Sequence, residues 1–326
     1  MKRLVGLFLL CALITLGLPL TSSGQSQLAH CPFNLGLEAF LSDPTSIQLD
    51  NDSLPVRIPL KRVGNLFFIE AMIDSMIGNF VLDLGAPYLV LNATYFRDYE
   101  VDQTYYSGTM LSGEEFVKRT WIRKLNIQGV EYSRLLADIT DLSEIENRKG
   151  IKILGLLGVD IFRKFAIDLD VLNKQLVLWP RKLSPQVDAK LLFEVPIWVK
   201  NSVILMTLKS GKVLLNFSLD TGAETNIMHN GLRKKVYNGM KILGSSSMTD
   251  GNGGQTEVLM AVIGGLTAGE KELKRMRTLI LNLETMSRAY GKRIDGMLGY
   301  PFFSTGRILI DFTKKKLFVY QYKKRD

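Results

Sequence analysis

Two carboxylates recur in this chain together with their surroundings. Asp83-Leu84-Gly85-Ala86 and Asp220-Thr221-Gly222-Ala223 lie 137 residues apart. Each follows an apolar run, Phe80-Val81-Leu82 and Phe217-Ser218-Leu219. Each precedes an apolar-Gly step, Gly155-Leu156-Leu157-Gly158 and Gly296-Met297-Leu298-Gly299. From Asp to the last Gly the separation is 75 residues in the first copy and 79 in the second. A single Asp-Xaa-Gly is an ordinary turn, since both residues favour turn positions. Two of them on duplicated scaffolds suggest a site built where two half-molecules meet. Carboxylates about 3 Å apart cannot both ionise easily, so they share a proton. One can then take a proton while the other gives one. Gly85 and Gly222 leave room for close backbone approach at each turn.

The elements that must position these residues are duplicated too. After each apolar-Gly step comes an Ile-Asp pair, Ile167-Asp168 and Ile310-Asp311. Each pair opens a predicted β-hairpin, turning near Leu172-Asn173-Lys174 or Thr313-Lys314-Lys315. Asp168 and Asp311, at strand or hairpin positions, are read as structural. Before each turn another hairpin pattern appears. Leu66-Phe67-Phe68-Ile69 turns through Asp74-Ser75-Met76, and Ile204-Leu205-Met206 turns at Ser210-Gly211. Short helices are expected after Asn92 as a cap, from Asp141-Leu142-Ser143, near Leu232 to Tyr237 and near Glu284 to Ala289. Repeats this long, each with its own strands, imply duplicated lobes rather than a solenoid.

These motifs resemble the retropepsin-like and pepsin-like aspartic proteases of the secreted bacterial kind, with two lobes fused in one chain. The resemblance covers roughly Leu54 to Tyr320. In the second lobe, Asp220 to Thr225 resembles the catalytic turn, Met248 to Gly254 the flap tip, and Asp295 to Gly299 the segment that buttresses the turn. The first lobe has its flap candidate at Tyr105 to Gly113. It departs from the pattern at Leu84, where the family has Thr or Ser, and at Pro87. The resemblance implies an all-β class, mainly β with short helices, with two acid-protease lobes in a pseudo-two-fold bilobal arrangement. It implies Asp83 and Asp220 as the catalytic pair, supported by Thr221, Gly85, Gly222, Ala86 and Ala223. One carboxylate would activate a water, and the partner acid would protonate the carbonyl oxygen of a peptide bond. Tyr106, Gly108, Gly251, Gly253 and Gly254 would belong to flaps that close over an extended peptide. Glu224 and Asn226 would meet substrate backbone. The glycine run lacks the Lys-Ser/Thr and the strand-to-helix context of a phosphate loop. No cofactor or metal is implied. The implied partner is a peptide or protein substrate, and the implied assembly is a two-lobed monomer.

Composition fits this organisation. The chain has 326 residues, enough for two lobes with cores of their own, and is 46% hydrophobic with 28 Gly. Residues 1–24 read as a signal peptide: Lys2-Arg3, an apolar Leu4 to Leu18, then Thr21-Ser22-Ser23-Gly24. This implies export to a periplasmic, cell-surface or secreted location. Residues 25–53 form an extension without assigned elements, 54–182 the first lobe, 183–189 a linker and 190–326 the second lobe. Cys11 falls in the signal segment, so Cys31 would be the one thiol left, and no internal disulfide can form. Two His, His30 and His229, give no metal-ligand cluster and no Ser/His/acid set. Net charge is +9, falling to +7 without Lys2 and Arg3. The basic residues are scattered over turns and the tail, which argues against nucleic-acid binding.

Leu84 divides the functional readings. In the family pattern the hydroxyl after each Asp reaches across to the opposite turn. Thr221 can do so and Leu84 cannot, so half of the interlock is expected, with Leu84 filling an apolar pocket. One reading is an aspartic endopeptidase acting outside the cytoplasm. The other is a catalytically impaired relative that binds peptides or partner proteins in the same cleft. Pairing of two chains through the second lobe is a third arrangement, disfavoured because a dead lobe has no chemical need of Asp83.

Overall fold

The computed structural model describes residues 46–50, 52–109, 113–232, 239–249 and 255–322, with isolated two-residue strands at Leu7–Phe8 and Ile14–Thr15. The fold is mainly β with short helices, as the strand-like repeats require. Each key Asp follows a strand, Met76–Leu82 or Val213–Leu219. Each strand pairs antiparallel with the one before it, Leu66–Ile73 or Val203–Ser210. The turns fall where the sequence puts Asp74-Ser75 and Gly211-Lys212. Asp74 has φ 51° and Gly211 φ 57°, a left-handed conformation that Gly adopts freely and Asp tolerates.

Past each Asp the chain returns as a short strand, Leu89–Asn92 or Asn226–His229. The apolar-Gly segments then insert between the outgoing and returning strands. Ile153–Leu157 pairs parallel with Met76–Leu82 and antiparallel with Leu89–Asn92. Gly296–Leu298 does the same with Val213–Leu219 and Asn226–His229. A strand buried on both faces reads as a continuous apolar run, which is why no alternation marks these segments. The glycines are needed for space. A Cβ on Gly155 would lie 2.0 Å from the Val90 carbonyl oxygen, and one on Gly296 2.2 Å from the Phe217 ring.

A sheet shared by both repeats joins them. Its order is Leu191–Lys200, Lys316–Tyr320, Arg307–Asp311, Phe165–Asp170, Gln175–Pro180, Val56–Pro59. At its centre the two Ile-Asp strands pair antiparallel, Ile167 opposite Ile310 and Asp168 opposite Leu309. Ile167, Leu169, Ile308 and Ile310 of these strands belong to one buried cluster that runs through both repeats, while Leu309 packs with Ala166, Val177 and Trp179 in a smaller one. Arg307 Nε and Nη2 donate to the two oxygens of fully buried Asp168 at 2.7 and 2.6 Å, an ion pair from one repeat to the other. Asp311 Oδ1 instead accepts from Thr313 N and Lys314 N, capping its own hairpin turn. Both aspartates thus hold structure.

Part of the extension assigned to residues 25–53 is a strand, Ser46–Leu49, which pairs antiparallel with Ser133 to Val130. Its alternating half-buried pattern suits one edge of a sheet. Near Leu232 the structure has a 3-10 turn, Asn230–Leu232, and the rest of the helix expected from Leu232 to Tyr237 falls on residues 233–238, which lie outside the described part. The other helices form at Ala93–Phe96, Ser143–Lys149 and Glu284–Ala289, with Asn92 Oδ1 accepting from Thr94 N as cap of the first.

Because the inserted strands have no room for a methyl group, Gly155→Ala and Gly296→Ala are each expected to destabilise the fold by about 1–3 kcal/mol through overpacking. Urea unfolding monitored by intrinsic fluorescence measures this, and unchanged midpoints would show that the crossing is looser than its geometry.

Candidate active site

The two turns are built from matching hydrogen bonds. Asp83 N donates to Leu157 O at 3.0 Å and Asp220 N to Leu298 O at 3.0 Å. Ala86 O accepts from Val159 N at 2.9 Å, and Ala223 O accepts from Tyr300 N at 2.8 Å. The apolar-Gly segments thus hold each turn from below on both sides. Asp83 Oδ1 accepts from Gly85 N and Ala86 N at 2.9 and 3.0 Å, while Asp220 Oδ1 accepts from Gly222 N at 2.7 Å.

The turns meet with each carboxyl against the glycine of the opposite turn, and the Asp83 and Asp220 carboxyl groups are close enough to perturb each other. Gly85 and Gly222 permit the approach. A Cβ on Gly85 would sit 2.3 Å from Asp220 Cγ, and one on Gly222 2.6 Å from Asp83 Cγ. Both aspartates are fully buried, and Oδ2 of each receives no protein N–H or hydroxyl. A proton held between the carboxyls is the donor that remains. Burial pushes Asp83 up to about 6, against the hydrogen bond from Asp220 and the Gly85 and Ala86 amides, which hold it down. Burial, followed by the charge and hydrogen bond of Asp83, pushes Asp220 well above the carboxylate range. Both carboxyls are therefore raised and one proton is shared by the pair, whose titration belongs to neither residue alone.

The interlock between the turns runs one way. Thr221 Oγ1 donates to Leu82 O at 2.7 Å and accepts from Leu84 N at 2.9 Å. Leu84 is fully buried among the apolar side chains of the main core, as its replacement of a hydroxyl requires.

Two resemblance-based assignments are corrected. Glu224 and Asn226 were expected to meet substrate backbone, but their side chains are committed inside the protein. Glu224 is buried and ion-paired to Lys149, and its Oε2 accepts from Asn65 N at 3.1 Å. Asn226 is buried, its Oδ1 accepting from Gly299 N at 2.8 Å. Tyr106 and Gly108 lie on the strand Gln103–Thr109, which pairs with the start of Gly113–Ile127. The strands Met240–Thr249 and Gln255–Ile263 form the matching hairpin of the second repeat. Its tip, with Gly251, Gly253 and Gly254, lies outside the described residues. Lys149 and Asn65 were missed by sequence reasoning. Lys149 is a basic residue in a helix's last turn and Asn65 a turn residue, so neither carries a signal of its own. Among the described residues no three His, Cys, Asp or Glu side chains converge as metal ligands.

No family model matches the chain, and no curated protein does. Among solved structures it is similar to the crystal structure of conglutin gamma, a unique basic 7S globulin from lupine seeds. The identity is 10%, the TM-score 0.49, and the match covers 82% of this chain and 95% of that one. A likeness of that size carries no functional weight.

Thr221→Val would orphan Leu84 N and Leu82 O at a buried site. It should cost about 1–3 kcal/mol per orphaned group, far more than Leu84→Val costs the site's geometry. Paired denaturation and activity measurements check this, and two equally harmless valine variants would sink the interlock.

The dyad also sets a pH dependence. Both carboxyls are raised, so the folded state binds more protons than the unfolded state above the ordinary carboxylate pKa. The dyad's contribution is complete below about pH 4, falls as the pH rises through about 6, and goes on falling above that because the second carboxyl is raised further. Relative to Asp83→Asn/Asp220→Asn, the wild type should lose stability between those limits. Denaturant titrations of both proteins across that range measure it, and a constant difference would mean that the carboxyls titrate normally.

Proposed function

We propose that this chain is an aspartic-type endopeptidase, exported from the cell, that hydrolyses peptide bonds with Asp83, Asp220 and an activated water. One observation carries the reading: two fully buried carboxyls, one from each repeat, are brought together where the two turns meet, so close that they must share a proton. Carboxyls in opposite protonation states are what general acid–base attack by water needs.

In this mechanism the ionised member of the Asp83/Asp220 pair takes a proton from water as the water oxygen bonds to the peptide carbonyl carbon. The protonated partner gives its proton to the carbonyl oxygen, leaving a neutral tetrahedral diol. Proton return to the amide nitrogen then lets the C–N bond break, and the original protonation states are restored. The amides of Gly85, Ala86 and Gly222 fix the orientation of both carboxyls. The hairpins Gln103–Thr109/Gly113–Ile127 and Met240–Thr249/Gln255–Ile263 are long enough to cover an extended peptide and to add backbone hydrogen bonds to it. The substrate is an unfolded or extended polypeptide, and no cofactor enters.

A second reading keeps the same cleft as a peptide- or protein-binding module without turnover. The observation in its favour is Leu84, which leaves the interlock between the turns one-sided.

The purified mature protein is expected to cleave an unfolded protein at mildly acid to neutral pH and to be blocked by a statine-type transition-state mimic. Asp83→Asn and Asp220→Asn should each abolish nearly all turnover, because the carboxyls act as one unit. Full activity in either variant would refute the mechanism. A wild type that binds peptide without cleaving it would favour the binding module.

A further inference from the structure

The two catalytic turns are held by unequal means. Four residues after Asp83 stands Pro87, which carries no functional group, and four residues after Asp220 stands Glu224. The Glu224 carboxylate crosses from the second repeat to the first. There it pairs with Lys149, each side chain being 9% exposed, and its Oε2 accepts from Asn65 N at 3.1 Å. The Glu224 carbonyl accepts from Asn65 Nδ2, also at 3.1 Å. Gly64, with φ 60°, completes the pocket. A Cβ there would lie 3.0 Å from Glu224 Oε2 and 3.1 Å from Lys149 Nζ. The same first-repeat segment touches the buttress of the second turn, since Arg62 donates to the Tyr300 hydroxyl and lies over its ring at 5.6 Å.

The opposite crossing is weaker. Ser202, the equivalent of Asn65 at a spacing of 137, donates from Oγ to Asp160 Oδ2 at 2.8 Å. Asp160 reaches the first turn only through its own amide, which donates to Pro87 O at 3.1 Å. The hydroxyl interlock has the opposite bias: Thr221 restrains the first turn's backbone, and Leu84 returns nothing to the second. The turn that lacks a hydroxyl partner is therefore the one with the buried ion pair.

We propose that Glu224, held by Lys149 and Asn65, is a positioning residue: it fixes the second catalytic turn against the first repeat and takes over the restraint that Leu84 cannot supply. The role rests on the aspartic-peptidase reading of the dyad, but the carboxyl pair itself reports on it whether or not the protein turns over. A purely structural ion pair would affect stability alone, because removing one partner of any buried pair leaves an uncompensated charge. A positioning pair also changes how closely the two aspartates couple.

The test is a titration of the Asp83 and Asp220 carboxyl carbons by NMR in the mature protein labelled with carboxyl-13C aspartate, assigned with Asp83→Asn and Asp220→Asn. Lys149→Met and Glu224→Gln are expected to draw the two apparent titrations together by about one pH unit or more, as weaker coupling requires. Lys149→Arg, which keeps the charge, should retain the wild-type curve. Lys149→Met/Glu224→Gln should recover stability over the single variants while keeping the perturbed dyad. Arg307→Met breaks the other buried pair between the repeats and should lower stability without moving the dyad. In the active enzyme, Lys149→Met should lower kcat by about tenfold or more with KM within about twofold. Unmoved dyad titrations in Lys149→Met, or an equal shift in Arg307→Met, would overturn the proposal. An inert wild type counts against hydrolysis alone, and the titration still decides the role of Glu224.

Discussion

Two carboxyl groups buried against each other repel unless a proton lies between them, and a protein that keeps them there must hold them. The rest of this molecule is organised by that requirement. Desolvation raises both groups, and the Gly85, Ala86 and Gly222 amides stabilise the charge that remains. None of these interactions draws the two halves of the chain together. Bringing the halves together falls to the shared sheet, whose central strands pair Ile167 with Ile310 and bury apolar residues from both repeats in one cluster. Burial of that area is favourable and non-directional, so the orientation comes from the backbone ladder and from contacts at the turns.

Duplication explains how a site of this accuracy arises from a plain scaffold. Backbone contacts are conserved between the copies almost bond for bond, as in the pairs from Asp83 N to Leu157 O and Asp220 N to Leu298 O. Side chains diverge where different chemistry can satisfy the same backbone. Asn92 and His229 occupy equivalent positions, and both accept from the amide that opens the following helix, Leu142 N at 3.2 Å and Leu283 N at 3.1 Å. Toward that helix amide an amide oxygen and an imidazole nitrogen serve alike, because each supplies an acceptor, while Asn92 Nδ2 additionally donates to Ile153 O at 2.9 Å.

The same freedom does not extend to the interface between the turns. There a hydroxyl that both donates and accepts cannot be exchanged for a Leu side chain without loss of two hydrogen bonds. The apolar burial of Leu84 compensates in stability but supplies no orientation, because packing against a core leaves the second turn free to slide. Orientation has to come from elsewhere, and besides the Asp220 carboxyl itself Glu224 is the charged side chain of the second turn that enters the first repeat within the described residues.

Much of the architecture was legible in the sequence, because it depends on local pattern. Hairpins show as apolar runs broken by Asp-Ser, Ser-Gly or Asn-Lys turns, the Asn92 cap by its residue type, and the duplication by the recurring Asp-Xaa-Gly-Ala and apolar-Gly strings. The pairing of Asp83 with Asp220 also follows from that repetition, and the failure of Leu84 to lock its turn follows from the family resemblance that the repetition carries. What the sequence did not determine depends on long-range contacts between residues with no pattern in common. Ser46–Leu49 became a strand only because an edge at Val130 to Ser133 was open to it. Asn65, Lys149 and Glu224 stand 84 and 75 residues apart along the chain, and each is unremarkable in its own segment. Only the packing of one repeat on the other brings an ammonium, an amide and a carboxylate into a pocket too dry for any of them to remain unpaired. Glu224 was read as a substrate contact because its place beside the turn was visible, whereas the partner that occupies it was fixed by the tertiary structure alone.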